Sequence, residues 1–314
     1  MKQYYKLYRV VALLFLLITS EVVGQQLPQF TQYMYNTISI NPAYAGSREV
    51  LSIVGLHRSQ WAGLDRAPET QTLSIHTPLR NERIGLGLSF INDKLGYENF
   101  TFLYGDFSYT VNLSEETKLA FGLKAGFSQY SIDNALRNAE ASDPGIAGIQ
   151  NRWEPNMGAG LFLHNKRWYV GLSSPRMLNI DHNEIEVNGI EYGVVDRAVY
   201  YLTGGYVFDL NNSVKFKPAA LIKATNGAPM SYDITANFLF NEKFWLGAAY
   251  RINENTGGLG ALVDFQVTKQ LRIGYAYEYP LSDIQQYSNG THEVLLMFEL
   301  VRDKSYRTKS PRYF

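Results

Sequence analysis

Apolar and polar residues alternate with a period of two through most of the chain, from about residue 50 to residue 300. In the stretch "KLAFGLKAGFS", which begins at Lys118, apolar side chains recur at every second position, and Lys, Gly and Ser fill many of the positions between them. This is the period of a β-strand, whose successive side chains point to opposite faces. No comparable stretch has a sustained helical period, so the sequence predicts an all-β fold.

The runs of alternation predict about fourteen strands. Their approximate spans are 49–58, 69–79, 83–92, 100–112, 116–130, 156–164, 167–174, 197–210, 213–224, 230–240, 243–252, 256–267, 270–280 and 291–301. Tight polar connections ("RNER", "LSEE", "HNKR", "LNNS", "FNEK" and "VTKQ") take turns with mostly longer ones at 59–68, 93–99, 131–155, 175–196, 225–229, 253–255 and 281–290. This arrangement is typical of an antiparallel transmembrane β-barrel with short periplasmic turns and longer extracellular loops.

A soluble β-sandwich also alternates, but it has no reason to segregate short and long connections to opposite ends. The polar positions of this chain are also rich in Gly, Ala and Ser, which suit the crowded inside of a closed barrel. Aromatic residues stand near strand ends on the apolar face, as an interfacial girdle requires. These are Tyr109, Phe127, Tyr200, Phe240, Phe244, Tyr250 and Tyr279.

The first 24 residues have the pattern of a secretory signal peptide. Lys2, Lys6 and Arg9 precede the short apolar run "VVALLFLLI", and "VVG" offers a cleavage site before Gln25. We therefore divide the chain into a signal peptide (1–24), a periplasmic N-terminal segment for plugging or docking (25–48), an outer-membrane barrel (49–301) and a C-terminal periplasmic tail (302–314). The expected location is the outer membrane.

Composition excludes several classes of function. Basic and acidic residues are equal in number, 29 of each, whereas a nucleic-acid-binding protein has a basic face. The chain has no cysteine, which excludes disulfides, thiolate metal sites and a Cys nucleophile.

Ten charged residues fall on the face of the strands that is predicted to point inward. They are Asp106, Lys124, Lys217, Lys223, Asp233, Arg251, Asp264, Arg272, Glu278 and Glu299. A charge facing lipid near the bilayer midplane costs roughly 2–4 kcal/mol, so these side chains are expected to face a lumen. Both signs are equally represented, which favours ion pairing across the lumen or a polar plug over a strongly ion-selective pore.

The segment before the first strand, with "NPAYAG" at its centre, is rich in amides and tyrosines. A fourteen-stranded lumen is too wide to be filled by its own inward side chains. We therefore expect residues 25–48 to line, plug or gate the periplasmic mouth. A disordered leader is the alternative, but so high an aromatic content is unusual for disorder.

No motif for catalysis or for a cofactor stands out. "HEVLL" at His292 lacks the second His of a zinc-protease helix. Ser288 and His292 are the only loose candidates for a barrel lipase. The acidic stretch 181–191 does not follow a known calcium-loop spacing. We predict a protein that is not an enzyme and has no cofactor or metal.

Several sequence blocks resemble the PorP/SprF outer-membrane proteins of the type IX secretion and gliding system. They are, in family order, "PQFTQYMYNTISINPAYAGS", "HRSQWAGLDRAPETQTLSIHTPL", "GLGLSFINDKLG", "YVGLSS", "WLGAAYR", "IGYAYEYPLSDI" and "GTHEVLLMFEL", and the closing "SPRYF" is also similar. The resemblance covers nearly the whole chain after the predicted signal peptide.

The resemblance implies a barrel subunit that serves protein secretion. Its partners would be outer-membrane lipid, the periplasmic ring of the type IX machinery, and a secreted adhesin or its C-terminal sorting domain. The residues expected to contact partners are Tyr33, Asn36, Asn41, Tyr44, Arg58, Gln60 and Trp61. Turn chemistry is the competing explanation for Asn41, and a membrane-interface position for Trp61. The alternative function is a passive or hydrophobe-transporting outer-membrane pore.

Overall fold

The computed structural model describes residues 28–140, 146, 151–182, 185–187, 190–192, 195–253 and 257–300. The predicted signal peptide and the predicted C-terminal tail lie outside the described residues. Fourteen long strands dominate the fold: β1 (Leu51–Ser59), β2 (Glu69–Pro78), β3 (Ile84–Leu95), β4 (Glu98–Asn112), β5 (Lys118–Ile132), β6 (Trp153–His164), β7 (Trp168–Arg176), β8 (Val199–Tyr206), β9 (Val214–Thr225), β10 (Ala228–Phe240), β11 (Phe244–Ile252), β12 (Gly258–Gln266), β13 (Leu271–Pro280) and β14 (Thr291–Leu300).

Each strand pairs antiparallel with its neighbours in sequence, and the first strand pairs with the last. The register of this closing pair runs from Leu51 opposite Leu300 to Ser59 opposite His292. The pairing of β7 with β8 contains a register shift between Val199 and Tyr201. The sheet therefore closes on itself, which confirms the predicted fourteen-stranded antiparallel barrel.

The remaining elements are short. The helices described in full include two 3-10 turns before β1 (Thr37–Ser39 and Pro42–Tyr44), α1 (Asn134–Ala139) and a third 3-10 turn (Asp283–Gln286). The short strands are Ile180–Asp181 with Val195–Asp196, Ile185–Val187 with Ile190–Tyr192, and Phe208–Asp209, which pairs with β9. Within the described part of the chain, no helix is long and apolar enough to cross a membrane.

The connections sort to the two ends of the barrel. We call "turn end" the end that holds residues 79–83, 113–117, 165–167, 207–213, 241–243 and 267–270, and "loop end" the opposite one. The predicted longer connections 93–99 and 225–229 are wrong, because the strands extend into them. Only Gly96–Tyr97 joins β3 to β4, and only Asn226–Gly227 joins β9 to β10. Gly96 and Gly227 have positive φ angles (63° and 79°), which these tight turns require.

Alternation along the strands separates two faces, as the sequence predicts. On β2, for example, Thr72 and Ser74 are buried, whereas Gln71 and Leu73 are exposed. The outward positions of the barrel are mostly large and apolar, and they include Leu123 and Phe127 on β5. Such a surface matches a lipid environment, and the inward positions are left to form the interior.

Candidate functional site: the filled lumen

Residues 28–50, here called the lumen segment, lie inside the barrel. Except for a few half-buried positions at its two ends, such as Pro28 and Gln29, its residues are buried. The segment is not confined to one mouth, since its first residues contact the loop end and its last residues lead into β1 at the turn end. It therefore runs along the lumen, whereas the sequence led us to expect it at the mouth on the turn side.

Local sequence explains how the segment folds so compactly. The Asn41 side chain accepts a hydrogen bond from the Ala43 amide at 3.0 Å, and Pro42 occupies the first position of the 3-10 turn that follows. Gly46 has a φ of 75°, a conformation that glycine adopts without strain. These contacts are the turn chemistry that competes with a partner-binding role for Asn41.

The loop end of the segment is held by buried charges. The two carboxylate oxygens of Glu293 on β14 accept hydrogen bonds from the backbone amides of Thr31 (2.9 Å) and Gln32 (2.7 Å). The Arg58 guanidinium on β1 donates to the Thr31 hydroxyl at 2.8 Å and contacts Glu293 at 3.2 Å. Glu278 on β13 contacts both Arg58 (3.4 Å) and the Thr31 hydroxyl (3.1 Å). Three strands thus bind two residues of the segment.

A single amide side chain is bound from both sides near the middle of the segment. Asn36 donates from Nδ2 to the Thr72 hydroxyl at 2.9 Å and accepts at Oδ1 from the Ser74 hydroxyl at 2.7 Å. Further down, the Nδ2 of Asn41 donates to the Leu161 carbonyl at 3.0 Å. These contacts satisfy polar groups that burial would otherwise leave unpaired.

At the turn end the barrel wall contacts the backbone of the segment. The Ser108 hydroxyl donates to the Ala45 carbonyl at 2.6 Å, and the amide of Gly46 lies 3.1 Å from Nδ1 of His76. Arg48 forms a buried ion pair with Glu299, with 2.5 Å between Nε and Oε1.

Apolar packing joins the segment to the wall over its whole length. Phe30, Tyr33 and Met34 belong to one buried cluster with inward residues of the strands, including Leu295 and Met297 of β14. Ile38, Ala43, Tyr44 and Ala45 belong to a second cluster with Ala120, Phe162 and Tyr169. The barrel therefore has a hydrophobic core, and its own N-terminal segment supplies nine of the 21 buried residues in these two clusters.

Wall glycines make room for this packing. A Cβ on Gly122 would lie 2.0 Å from the Ala43 amide nitrogen, and one on Gly85 would lie 2.1 Å from the Ala45 carbonyl oxygen. Some of the inward glycines that indicated a crowded barrel interior, such as Gly85 and Gly122, are thus positions where the segment approaches the wall backbone.

The ten charged residues predicted for the lumen all occupy inward positions. Nine of them are buried, and the side chain of Arg272 is 11 % exposed. Several are paired on the wall itself: Lys124 with Asp106 (2.8 Å), Arg251 with Asp233 (2.5 Å) and Glu278 (3.0 Å), and Arg272 with Asp264 (3.7 Å). Asp264 also accepts a hydrogen bond from the Tyr35 hydroxyl of the segment at 2.8 Å.

Burial fixes the protonation states of the segment. It raises the pKa of Tyr33 well above its ordinary value, and it does the same for Tyr35, where the nearby Asp264 carboxylate adds to the effect. Burial alone lowers the pKa of Arg48, but the Glu299 carboxylate reverses this and raises it. The two tyrosine hydroxyls are therefore neutral and Arg48 is a cation across the physiological range.

The seven residues predicted to contact partners fall into two groups. Tyr33, Asn36, Asn41, Tyr44 and Arg58 are buried in the lumen and contact the chain itself. Gln60 and Trp61 are half-buried in the connection 60–68 at the loop end. Trp61 adopts a φ of 53°, and its amide donates to the Thr291 hydroxyl at 3.2 Å. Their role with partners remains a prediction.

Sequence reasoning missed Glu293 and Arg48. Glu293 lies on the same face of its strand as Glu299, so its inward position was readable from the alternation. Arg48 precedes the first strand, where no periodicity indicates its direction. For Thr72, Ser74 and Ser108 the sequence showed only that the side chains face inward, and it did not indicate that their hydroxyls contact the segment.

The candidates for other chemistry are not brought together among the described residues, and the Ser288 hydroxyl makes no hydrogen bond with His292. No group of three or more His, Asp or Glu side chains suited to a metal ion occurs among the described residues. The hydroxyl of Tyr275 lies 2.6 Å from Nδ1 of His292. The acidic stretch 181–191 lies partly outside the described residues.

A closed antiparallel barrel with an apolar outer face and a charged, filled interior is a β-barrel membrane protein of the outer-membrane type. Among solved structures, the chain is similar to the CymD monoaromatic hydrocarbon channel, with 12% identity and a TM-score of 0.51 over 89% of this chain and 95% of that one. At such low identity the likeness shows the fold alone.

Weaker similarities are to the Ralstonia pickettii toluene transporter TbuX (12% identity, TM-score 0.48, 84% of this chain and 92% of that one) and to the Acinetobacter baumannii outer membrane protein Omp33 (10% identity, TM-score 0.45, 81% and 100%). A comparison with curated protein sequences found no match.

Residues 22–298 match the family described as "Type IX secretion system membrane protein PorP/SprF". The chain belongs to this family, and the resemblance seen in the sequence blocks is confirmed. Family and fold together place the protein in the outer membrane.

Proposed function

We propose that this protein is a docking subunit of the type IX secretion system and has no enzymatic activity. In this proposal it binds a secreted adhesin, through its C-terminal sorting domain, at the loop end. It binds the periplasmic ring machinery at the turn end. Family membership supports a role in secretion, and the family is one of secretion-system membrane proteins, not one of enzymes.

The filled lumen is the observation that favours docking over transport. A segment that is buried along the lumen, with charge-assisted contacts at both of its ends, obstructs passage of solutes. The two rims are then the surfaces left for interaction. A hydrophobe-transporting pore would instead need a continuous path past the segment.

The rim at the loop end is the stronger candidate for the adhesin. Trp61 and Gln60 lie there, outside the strands, and Trp is among the usual energetic centres of protein interfaces. Contact with a partner through Tyr33 or Asn36 requires the lumen segment to leave its place, because both side chains are buried.

Affinity purification from detergent-solubilised outer membranes tests this proposal. Tagged protein is compared with the Trp61→Ala variant and with Trp153→Ala, a matched control that removes an exposed Trp from the outer face of β6. We expect one large secreted protein and ring components to co-purify with the parent and with the control. Trp61→Ala is expected to lose the secreted protein and to keep the ring components.

A variant that lacks residues 29–45 separates docking from transport. With the segment in place we expect no single-channel conductance in planar bilayers, and without it a conducting barrel. Steady conductance by the intact protein, together with no co-purified partner, would overturn the docking proposal in favour of a pore.

A further inference from the structure

The outer surface of the barrel differs between its two sides near the loop end. On β10–β13 the outward positions stay apolar up to the connections, where Met230, Ile252, Leu259 and Tyr279 are exposed. On β2–β5 the outward apolar positions end earlier. They end in one row across the sheet, formed by Leu73, Phe90, Leu103 and Phe127.

Two further rows of side chains continue β2–β5 toward the loop end, and we call them the polar wall. The first row consists of Gln71, Asn92, Thr101 and Gln129, and the second of Glu69, Lys94, Asn99 and Ser131. All eight side chains are exposed or half-buried on the outer face. Asn92 donates to Asn99 at 2.8 Å and to Thr101 at 3.1 Å, so the amides form a connected surface.

The height of the polar wall follows from strand geometry. Two rows correspond to four residues, or about 13 Å along a strand, and a strand tilt of about 40° reduces this to about 10 Å above the apolar band. Amide and hydroxyl groups facing hydrocarbon would be left without hydrogen bonds. This height corresponds to the headgroup layer of a membrane, and the described outward positions of β10–β13 carry no such polar rows.

The chemistry of the polar wall fits sugar better than phosphate. Six of its eight side chains are uncharged amides or hydroxyls, which donate and accept hydrogen bonds. The two charged residues, Glu69 and Lys94, stand opposite each other in the register and cancel. Exposed Trp153 lies beside Gln129 and offers an apolar face to a sugar ring.

We propose that the polar wall binds the sugar headgroups of lipopolysaccharide in the outer leaflet of the outer membrane. We choose a lipid headgroup as the ligand because of where the polar wall lies. It continues the lipid-facing surface without a break and points away from the barrel axis. This site is separate from the rim that the docking proposal uses, and it orients the barrel by attaching one side to the glycolipid.

Thermal unfolding in phospholipid vesicles, followed by heat-modifiable gel mobility, tests the proposal. Addition of lipopolysaccharide with its core sugars should raise the melting temperature of the intact protein by on the order of 5 °C. The Gln71→Leu/Gln129→Leu variant should lose at least half of this shift. The matched control, Gln285→Leu/Gln286→Leu, changes two exposed amides in a loop at the same end and should keep it.

The folded gel mobility of each variant before heating shows that the barrel has formed. An equal shift in the parent and in the Gln71→Leu/Gln129→Leu variant would overturn the proposal. Lipid A without core sugars should give a smaller shift than the complete glycolipid. An equal shift would assign the effect to phosphate and overturn the sugar assignment. Loss of a co-purified membrane protein by the same variant, with the glycolipid shift unchanged, would show a protein interface instead.

Discussion

The lumen segment is held by different means at its two ends. At the loop end, three charged side chains from three strands bind Thr31 and Gln32, and no covalent bond of the described chain fixes this end to the wall. At the turn end the segment continues directly into β1, and wall glycines let it pack against the backbone. The turn end also has one buried ion pair, Arg48 with Glu299, so charges are found at both ends. The comparison teaches that the loop end is fixed by side-chain contacts alone, whereas the turn end is fixed by chain continuity and close packing as well.

The largest effect is expected from Glu293→Ala, which removes the main contact at the loop end. It leaves Arg58 buried with one carboxylate partner fewer and two amides unpaired, so the free energy of unfolding should fall by about 3–5 kcal/mol. Urea unfolding in phospholipid vesicles measures this loss.

A labelling experiment asks whether the loop end is also released. The chain has no cysteine, so Gln29→Cys provides a single reporter. Its reaction with a water-soluble maleimide should be faster in the Glu293→Ala background than in the parent. An unchanged rate would show that the charges do not hold this end.

A smaller effect is expected from Gly122→Val, which tests close packing in the half of the lumen nearer the turn end. The new side chain would meet the Ala43 amide, and overpacking of this kind typically costs about 1–3 kcal/mol. Gly105→Val is the matched control, because its Cβ would point outward with no atom nearer than 3.8 Å. Equal unfolding free energies for the two variants would mean that the wall glycines are not needed for the segment.

The smallest effect is expected from Lys118→Ala at the rim of the turn end. Lys118 contacts Glu49 at 2.8 Å, but its side chain is 37 % exposed. A solvent-exposed ion pair contributes about 0–1 kcal/mol, so unfolding in urea should hardly change. A loss as large as that of Glu293→Ala would show that the turn end depends on this exposed ion pair more than on chain continuity and close packing, and the distinction between the two ends would fail.

The two-residue alternation along the strands was enough to predict the barrel and which residues line its inner surface. The alternation that placed Asp106 and Lys124 on one face depends only on the two-residue repeat, which tertiary contacts do not alter. Strand length was less readable. The predicted strand ended at residue 92, before the charged pair Asp93 and Lys94, whereas β3 continues to Leu95 with Lys94 exposed on the outer face.

The contacts of the lumen segment were beyond the reach of the sequence. Its composition indicated an affinity for the polar inner surface of a barrel. It has, however, no period that assigns a direction to each side chain. Asn36 meets Ser74 and Thr31 meets Glu293 only because the barrel brings distant strands around the segment. In the sequence, Gly122 looks like any other strand glycine. Only the structure shows that the backbone of Ala43 packs against it.

The position of Glu293 has a consequence for the order of assembly. This residue lies on the last strand, and the amides that it binds lie 262 and 261 residues earlier in the chain. Contacts between such distant parts of a chain form late, because the loss of chain entropy must be met before they contribute. The first strand also pairs with the last, so closure of the barrel and the contacts of Glu293 with the segment both require the last strand to be in place. A segment that is not inside the barrel when the first and last strands pair would have to enter the closed lumen through one of its two ends.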